Sequence, residues 1–455
     1  MIQTLVILGA SGDLMSRYLM PAIVRLHQAD KLPEEFRVLG VARDDWNTEK
    51  FRSHLEQKLA VSGTAGVAGV WEAILGRVDY RCVDVTNRDQ LVQAMDKVTD
   101  PLVAYLALPP GLFAPSIQSL AALKLPKGSK VVLEKPFGES LESSQALNRL
   151  LHESFPEHDV FRLDHFLGKQ TVQNILGLRF ANRVFEPVWN THHIERVEII
   201  WDETITAAGR ASFYDATGAL RDMVQNHLLQ LLALIAMEPL HALDERTLRD
   251  RKVDVLRAVR RLTPDEVLRQ TVRGRYTRGV IGKKEILPYL QEEGVRAERN
   301  TETFAQVTLS IDNWRWAGVP FLLRTGKALG CDRREIAIHF KPVPHLAFGQ
   351  EAQPIPNVLA IELDPDRIAL SVHVNESGDL CNLKQVELDK RFPSGGLPAY
   401  ARLLLDIMDG DPTLSIRDDE AEESWRIVEP ILQIWNEGGV PLVDYTAGSG
   451  GPMAT

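Results

Sequence analysis

The segment Arg162-Leu163-Asp164-His165-Phe166-Leu167-Gly168-Lys169-Gln170 gathers an acid, an imidazole and an amine around one glycine. His165 and Lys169 are four residues apart, so a helical turn here puts both on one face, where they can close on a single anion. An imidazole N–H and an ammonium together supply directional donors and charge, which suits a phosphate. Asp164 follows the apolar Leu163 and is available to orient a second histidine. His227 is such a histidine, at the end of Arg221-Asp222-Met223-Val224-Gln225-Asn226-His227. It lies on a segment that reads as a long, largely apolar-faced helix from Ala219 through Ile235. A histidine in that setting is ordinarily a satisfied core side chain. Asp222 precedes it by five residues, about 140° around an α-helix, and so faces away from it. A carboxylate from another segment would have to orient His227, and Asp164 is the candidate. Two lysines lie in glycine- or proline-bearing turns: Lys327 in Arg324-Thr325-Gly326-Lys327, and Lys135 in Glu134-Lys135-Pro136-Phe137-Gly138. Both are candidate anion ligands, with an ordinary surface lysine as the alternative for Lys135.

The elements that must position these groups begin with Thr4-Leu5-Val6-Ile7-Leu8, a short apolar run typical of a strand buried on both faces. It leads directly into Gly9-Ala10-Ser11-Gly12-Asp13-Leu14, and a helical pattern then carries Leu19, Ile23, Val24 and Leu26. Gly9 permits the tight bend, and Gly12 lets backbone amides approach a pyrophosphate at the helix N-terminus. The spacing departs from the commoner G-x-G-x-x-G, which leaves a purely structural strand–helix turn open. A second strand, Arg37 to Ala42, ends in Arg43-Asp44-Asp45. An acid after this strand favours a free ribose 2′-hydroxyl and an arginine favours a 2′-phosphate. Arg43 comes first and points to NADP, while the acids behind it leave NAD open. Strands at 102–108 and 130–133 end in Pro109-Pro110 and in the Glu134-Lys135-Pro136 turn, with helical segments between them. This β/α alternation predicts a parallel, doubly wound, Rossmann-like sheet whose ligand lies beyond the strands' carboxyl ends, near Pro109, Lys135 and Pro136. Prolines there fix the backbone, and one is placed to hold a cis bond.

After Gly168 the pattern changes. A helix at 171–178 is followed by an alternating strand at 194–201, and strands at 303–311, 336–341, 358–362 and 367–375 lack helical crossovers. That predicts a larger α+β domain with a mainly antiparallel sheet. Helical segments at 400–408 and 420–435 close the chain. The expected division is a dinucleotide-binding domain at 1–163 and a substrate-binding and dimerisation domain at 164–455. Of the 455 residues, 44% are hydrophobic and 25% charged, the balance of a globular protein. The net charge of −10 disfavours nucleic acid and anionic membrane as partners, so an anionic ligand needs a local basic pocket. Cys82, Cys331 and Cys381 are an odd number without metal-ligand spacing, which fits a reducing, cytoplasmic setting and no bound metal.

In order and spacing these strings resemble the glucose-6-phosphate dehydrogenase family. They are G-A-S-G-D-L at 9–14, Y-L-A-L-P-P at 105–110, E-K-P-F-G at 134–138, R-L-D-H-F-L-G-K at 162–169, R-D-M-V-Q-N-H at 221–227 and R-T-G-K-A-L at 324–329. The resemblance implies oxidation of glucose 6-phosphate at C1 by NADP, the opening reaction of the oxidative pentose phosphate pathway, by a homodimer or homotetramer. It makes His227 the general base, held by Asp164. His165 and Lys169 become phosphate ligands, and Glu203, Asp222 and Lys327 line the sugar site. Lys135 and Pro136 fall near the nicotinamide and the sugar, and Gly9, Ser11, Gly12, Asp13, Leu14, Arg43 and Pro109 fall at the cofactor. Several positions depart from the family. Phe166 replaces a common tyrosine, which removes one hydrogen bond to a charged phosphate, on the order of 1.5–3 kcal/mol. Ser16 replaces a lysine and is followed by Arg17. Asp332 takes a place often basic, with Arg333 adjacent, and Gly450 replaces a tryptophan. The stretch 375–379 lacks the lysine and proline of a second, structural NADP site. These changes leave two alternatives: a dehydrogenase of a related sugar, unphosphorylated or with another anion at C6, or a non-catalytic dinucleotide-binding paralogue.

Overall fold

The computed structural model describes residues 1–61, 68–96, 98–348, 354–375, 382–393 and 396–452; Cys381 and most of the 375–379 stretch lie outside them. The chain divides into two compact units. The first comprises Met1–Lys169 with Ala242–Arg249 and Gly395–Glu422, and the second Gln170–His241, Asp250–Ser394 and Glu423–Thr455. The first unit therefore runs past residue 163 and recruits two later segments.

Its six strands are β1 (Thr4–Leu8), β2 (Arg37–Ala42), β3 (Val78–Cys82), β4 (Leu102–Leu106), β5 (Lys130–Glu134) and β6 (Val160–Leu163). They lie in the order β3-β2-β1-β4-β5-β6, all parallel. The order reverses between β1 and β4, and that switch point opens a crevice at the strands' carboxyl ends. Helices bury both faces, so the central strands are continuous apolar runs; every residue of β4 is buried. β6 is an exception because Arg162 sits inside it with no exposure. Its guanidinium is matched by Glu157 at 2.7 Å and by Asn148 at 2.9 Å. Helix Ala399–Asp409 joins this unit because its apolar stripe, Ala401, Leu404, Ile407 and Met408, enters the same core as Leu5 and Ile7.

In the second unit the strands are β7 (Ile194–Asp202), β8 (Thr271–Thr277), β9 (Gly279–Ile281), β10 (Lys284–Ile286), β11 (Phe304–Leu309), β12 (Phe321–Gly326), β13 (Arg333–Phe340), β14 (Val358–Leu363), β15 (Asp366–Asn375), β16 (Leu383–Arg391) and β17 (Leu442–Thr446). β9 and β10 form a separate hairpin, and the rest make one sheet ordered β16-β15-β14-β13-β7-β12-β11-β8-β17. The β7–β12 and β8–β17 pairs are parallel and the others antiparallel, as the missing crossovers predicted for most of the sheet. A helical run from Ala211 to Ala236 carries His227. Side chains satisfy the last carbonyls of that run. Buried Arg179 donates to Leu234 O (3.0 Å) and Met237 O (2.7 Å), Trp189 to Ile235 O (2.8 Å) and Trp316 to Ala236 O (2.7 Å). No helix among the described residues is long and apolar enough to cross a membrane.

Candidate active site

In the first unit the crevice is framed by the glycine turn. Gly9 has φ +87°, and a Cβ on it would meet Ala107 O at 2.3 Å, so only glycine fits. The amides of Gly9 and Ala10 donate to Val41 O at 2.7 and 3.2 Å, pinning the turn to the end of β2. A helical run over 13–28 starts immediately after, with Asp13 and Leu14 as its first residues. Its amino-terminal amides and dipole suit a pyrophosphate, so the local geometry fits a dinucleotide. Ser11 Oγ donates to Asp44 Oδ2 at 2.5 Å, and Arg43 is exposed. Asp13 pairs with Arg17 at 3.4 Å on the surface, whereas Ser16 is buried and turned from solvent. Pro109 heads a short turn over Pro110–Leu112 at the end of β4.

At the end of β5 the Lys135–Pro136 bond is cis, one of the bonds at which the sequence allowed it. The preceding Glu134 accepts hydrogen bonds from the hydroxyls of Tyr105 and Tyr400. Burial pushes its carboxyl up to about 7, against the pull of those two bonds and of Lys135. Burial likewise holds the Tyr105 phenol well above its ordinary range.

The R-x-D-H segment differs from its expected helical turn. Asp164 is fully buried and caps the turn, its Oδ1 accepting from Phe166 N at 2.9 Å. His165–Gly168 is a 3₁₀ turn, and Lys169 already has extended backbone at φ −73°, ψ 138°. His165 and Lys169 therefore do not stack through an α-turn; they flank the buried ring of Phe166. The imidazole meets that ring edge-on at 5.0 Å and the ammonium lies 5.6 Å from its centre. On its other side His165 stacks on Tyr400, with ring centres 5.8 Å apart and planes 10° from parallel. Helix Ala399–Asp409 can approach this closely because residue 168 is glycine; a Cβ there would meet Ala399 O at 2.7 Å.

In the second unit His227 is 1% exposed and Asp222 half-buried. Leu220–Leu228 is wound as a π-helix, with Leu229 N donating to Val224 O. Bonds from i to i+5 bring residues five apart onto one side. This overturns the 140° separation expected of Asp222 and His227 in an α-helix. Buried Glu302 grips the start of the segment, its Oε1 accepting from Leu220 N at 2.9 Å. Strand β12 packs against the same segment and delivers Lys327 at its end. Lys327 Nζ meets Glu203 Oε2 at 2.9 Å, each side chain 14% exposed, and lies 5.2 Å from the ring centre of Tyr214. Burial, then Asp222 and Glu302, push the Tyr214 phenol upward, which ties Asp222 into this cluster.

Tyr214, Tyr400, Glu134, Glu302 and Arg334 were missed at the sequence level. Arg333 turns to Glu335 and Glu198, whereas Arg334 reaches Glu203 at 3.9 Å and Asp332 at 3.6 Å. The basic group beside Asp332 on the Glu203 side is thus Arg334 rather than Arg333. Gly450 contributes its carbonyl to Arg324 at 2.7 Å. Cys82 and Cys331 are exposed thiols.

A glycine turn at the switch point of one unit and a buried histidine beside an acid–lysine cluster in the other are features of dinucleotide-dependent oxidoreductases. Residues 6–174 match the family described as "Glucose-6-phosphate dehydrogenase, NAD binding domain" and 176–455 match "Glucose-6-phosphate dehydrogenase, C-terminal domain". The chain is 40% identical to the glucose-6-phosphate 1-dehydrogenase of Aggregatibacter actinomycetemcomitans, over 99% of this chain and 94% of that one. It resembles the crystal structure of the Mycobacterium avium enzyme with TM-score 0.87 and 35% identity, covering 99% and 96% of the two chains. A glucose-6-phosphate dehydrogenase solved in complex with glucose 6-phosphate gives TM-score 0.89 at 32% identity, with the same coverage. The chain belongs to the glucose-6-phosphate dehydrogenase family and is an oxidoreductase that uses a nicotinamide dinucleotide.

Proposed function

We propose that this protein oxidises C1 of glucose 6-phosphate to 6-phosphoglucono-δ-lactone, passing hydride to NADP⁺. Family membership along the whole chain supports this, and the observation that carries it is the buried His227 on a segment whose neighbours are Asp222, Tyr214, Lys327 and Glu203. A neutral imidazole takes the C1 hydroxyl proton as hydride leaves C1, and Asp164 fixes its tautomer and stabilises the imidazolium. Bound nicotinamide supplies the hydride acceptor. His165 and Lys169 hold the phosphate, which aligns C1 at a distance from the chemistry. Glu203, Asp222 and Lys327 orient the ring hydroxyls, with Lys135 at the junction of sugar and nicotinamide. Gly9, Ser11, Gly12, Asp13, Leu14, Pro109 and Pro136 form the cofactor's bed, and Arg43 meets the 2′-phosphate. In this reading residues 1–163 serve the dinucleotide and 164–455 the sugar and a homodimeric or homotetrameric assembly, in the cytoplasm.

The test is the initial rate of reduced-cofactor formation with glucose 6-phosphate or glucose crossed with NADP⁺ or NAD⁺. Fast turnover confined to the phosphorylated sugar is expected. Turnover only of another sugar would favour the related-sugar reading, for which the Phe166 ring between His165 and Lys169 is the motive.

A further inference from the structure

We propose that Asp332 and Arg334 are positioning residues of the sugar site: Asp332 pins the backbone that follows Glu203, and Arg334, with Lys327, holds the Glu203 carboxylate towards the ring hydroxyls. This rests on the sugar part of the function proposed above. Glu203 leaves the end of β7 in a segment whose backbone is tied at successive groups. Its N–H donates to Gly326 O at 2.9 Å and its carbonyl accepts from Leu329 N at 3.0 Å, while Ile205 O accepts from Ala328 N at 2.8 Å. Between these ties Thr204 N donates to Asp332 Oδ1 at 2.6 Å. Buried Ala328 meets them at φ +53°, a left-handed conformation that a residue with a side chain keeps only where its surroundings over-determine it. The main chain beside Glu203 is therefore set, and what remains to be set is the direction of its side chain.

The two oxygens of that carboxylate face different cations. Lys327 Nζ lies 2.9 Å from Oε2, and a guanidinium nitrogen of Arg334 lies 3.9 Å from Oε1. Arg334 stands opposite Trp201 in the β7–β13 pairing, its guanidinium 5.3 Å from the indole centre. Asp332 Oδ2 is 3.6 Å from it, and Asp364, in the turn between β14 and β15, pairs with it as well. A planar guanidinium can stack on a ring and serve several carboxylates through its fork, which an ammonium does poorly. With only 17% of its side chain exposed, Arg334 is screened less than a surface cation. Without it, Oε1 loses the cation that holds it, and the charges of Asp332 and Asp364 repel Glu203. If Arg334 served only to tie β13 to its neighbours, its loss would lower stability and leave sugar binding as it was.

KM for glucose 6-phosphate and for glucose, measured on the full chain in a double-mutant cycle of Arg334→Gln and Glu203→Gln, separates these outcomes. Arg334→Gln should raise KM for both sugars by about three- to tenfold, with kcat and the dissociation constant of NADPH changed by less than about twofold. In the Glu203→Gln background the same substitution should add nothing, since its effect runs through the carboxylate. Arg334→Lys keeps the charge without the fork and should recover part of the loss. Asp332→Ala frees Thr204 N and should raise both KM values in the same proportion. Asp364→Asn withdraws an anchor of Arg334 and should give the same pattern in smaller measure, even if Arg334→Gln folds poorly. Unchanged KM values in these variants, or an effect that persists undiminished with Glu203→Gln, would overturn the inference. A rise confined to glucose 6-phosphate would overturn it too, by making Arg334 a phosphate ligand. Failure of the sugar reading is separately visible, as NADPH binding by the unaltered protein without turnover of either sugar.

Discussion

Glu134 should make the stability of the protein fall as pH rises towards neutrality, and Glu134→Gln should remove that part of the dependence. The carboxyl is held between the Tyr105 and Tyr400 hydroxyls, and burial raises its pKa from the ordinary 4.5 to about 7. The folded state then binds the proton more tightly than the unfolded chain. Its stabilising contribution is full below about pH 4.5 and is lost as pH rises through about 7. A shift of that size corresponds to roughly 3 kcal/mol as an upper bound. Urea unfolding midpoints of the unaltered protein and Glu134→Gln, compared at pH 5.5 and 8, isolate the term, because every other titrating group is common to both. Burial also raises Asp406, to about 6, and that contribution cancels in the comparison. Infrared spectroscopy gives a second reading: a protonated-carboxyl carbonyl band present at pH 6 and missing from the variant. Parallel pH dependences of the two proteins, together with no missing band, would refute the argument that burial outweighs the tyrosine hydrogen bonds.

Three further outcomes follow from the geometry. Lys169→Ala should raise KM for glucose 6-phosphate by about tenfold or more and leave KM for glucose unchanged; equal effects on both sugars would remove Lys169 from the phosphate site. Phe166→Tyr places a hydroxyl on the ring between His165 and Lys169. It should lower KM for the phosphorylated sugar by up to about tenfold, and a raised KM would mean that the ring edge faces protein instead. Lys327→Met leaves the Glu203 carboxylate without its 2.9 Å partner in a largely buried setting. Steady-state kinetics should then show at least about a tenfold loss of kcat/KM, whereas unaltered kinetics would make the pair purely structural.

Where function depends on backbone chemistry that few residues can supply, the sequence was informative. Gly9, with a positive φ and Ala107 O at its back, is one such position, and the apolar strands around it led to the parallel sheet. Alternation without crossovers gave the antiparallel character of the second sheet. Other features depend on contacts distant in sequence. Arg162 interrupts an apolar run, and only its match with Glu157 and Asn148 makes β6 a buried strand. The amphipathic stripe of Ala399–Asp409 does not specify which core it enters, and it enters that of the first unit. Tyr400 consequently stacks on His165 from more than two hundred residues away. Helical winding was the other blind spot. Residue types at 220–228 fit an α-helix, and nothing in them announces the π winding that the segment adopts, with Glu302 accepting from Leu220 N at its start. The 3₁₀ turn after Asp164 was hidden in the same way, since four-residue spacing is equally compatible with an α-turn.

The central claim is that His227 removes the C1 proton. Its most direct test is kcat of His227→Asn with saturating glucose 6-phosphate, alongside the dissociation constant for NADPH. Asparagine is close in size to the imidazole and cannot take the proton, so kcat should fall by about a hundred- to ten-thousandfold while NADPH binding changes less than about threefold. A kcat within a few-fold of the unaltered protein would contradict the account.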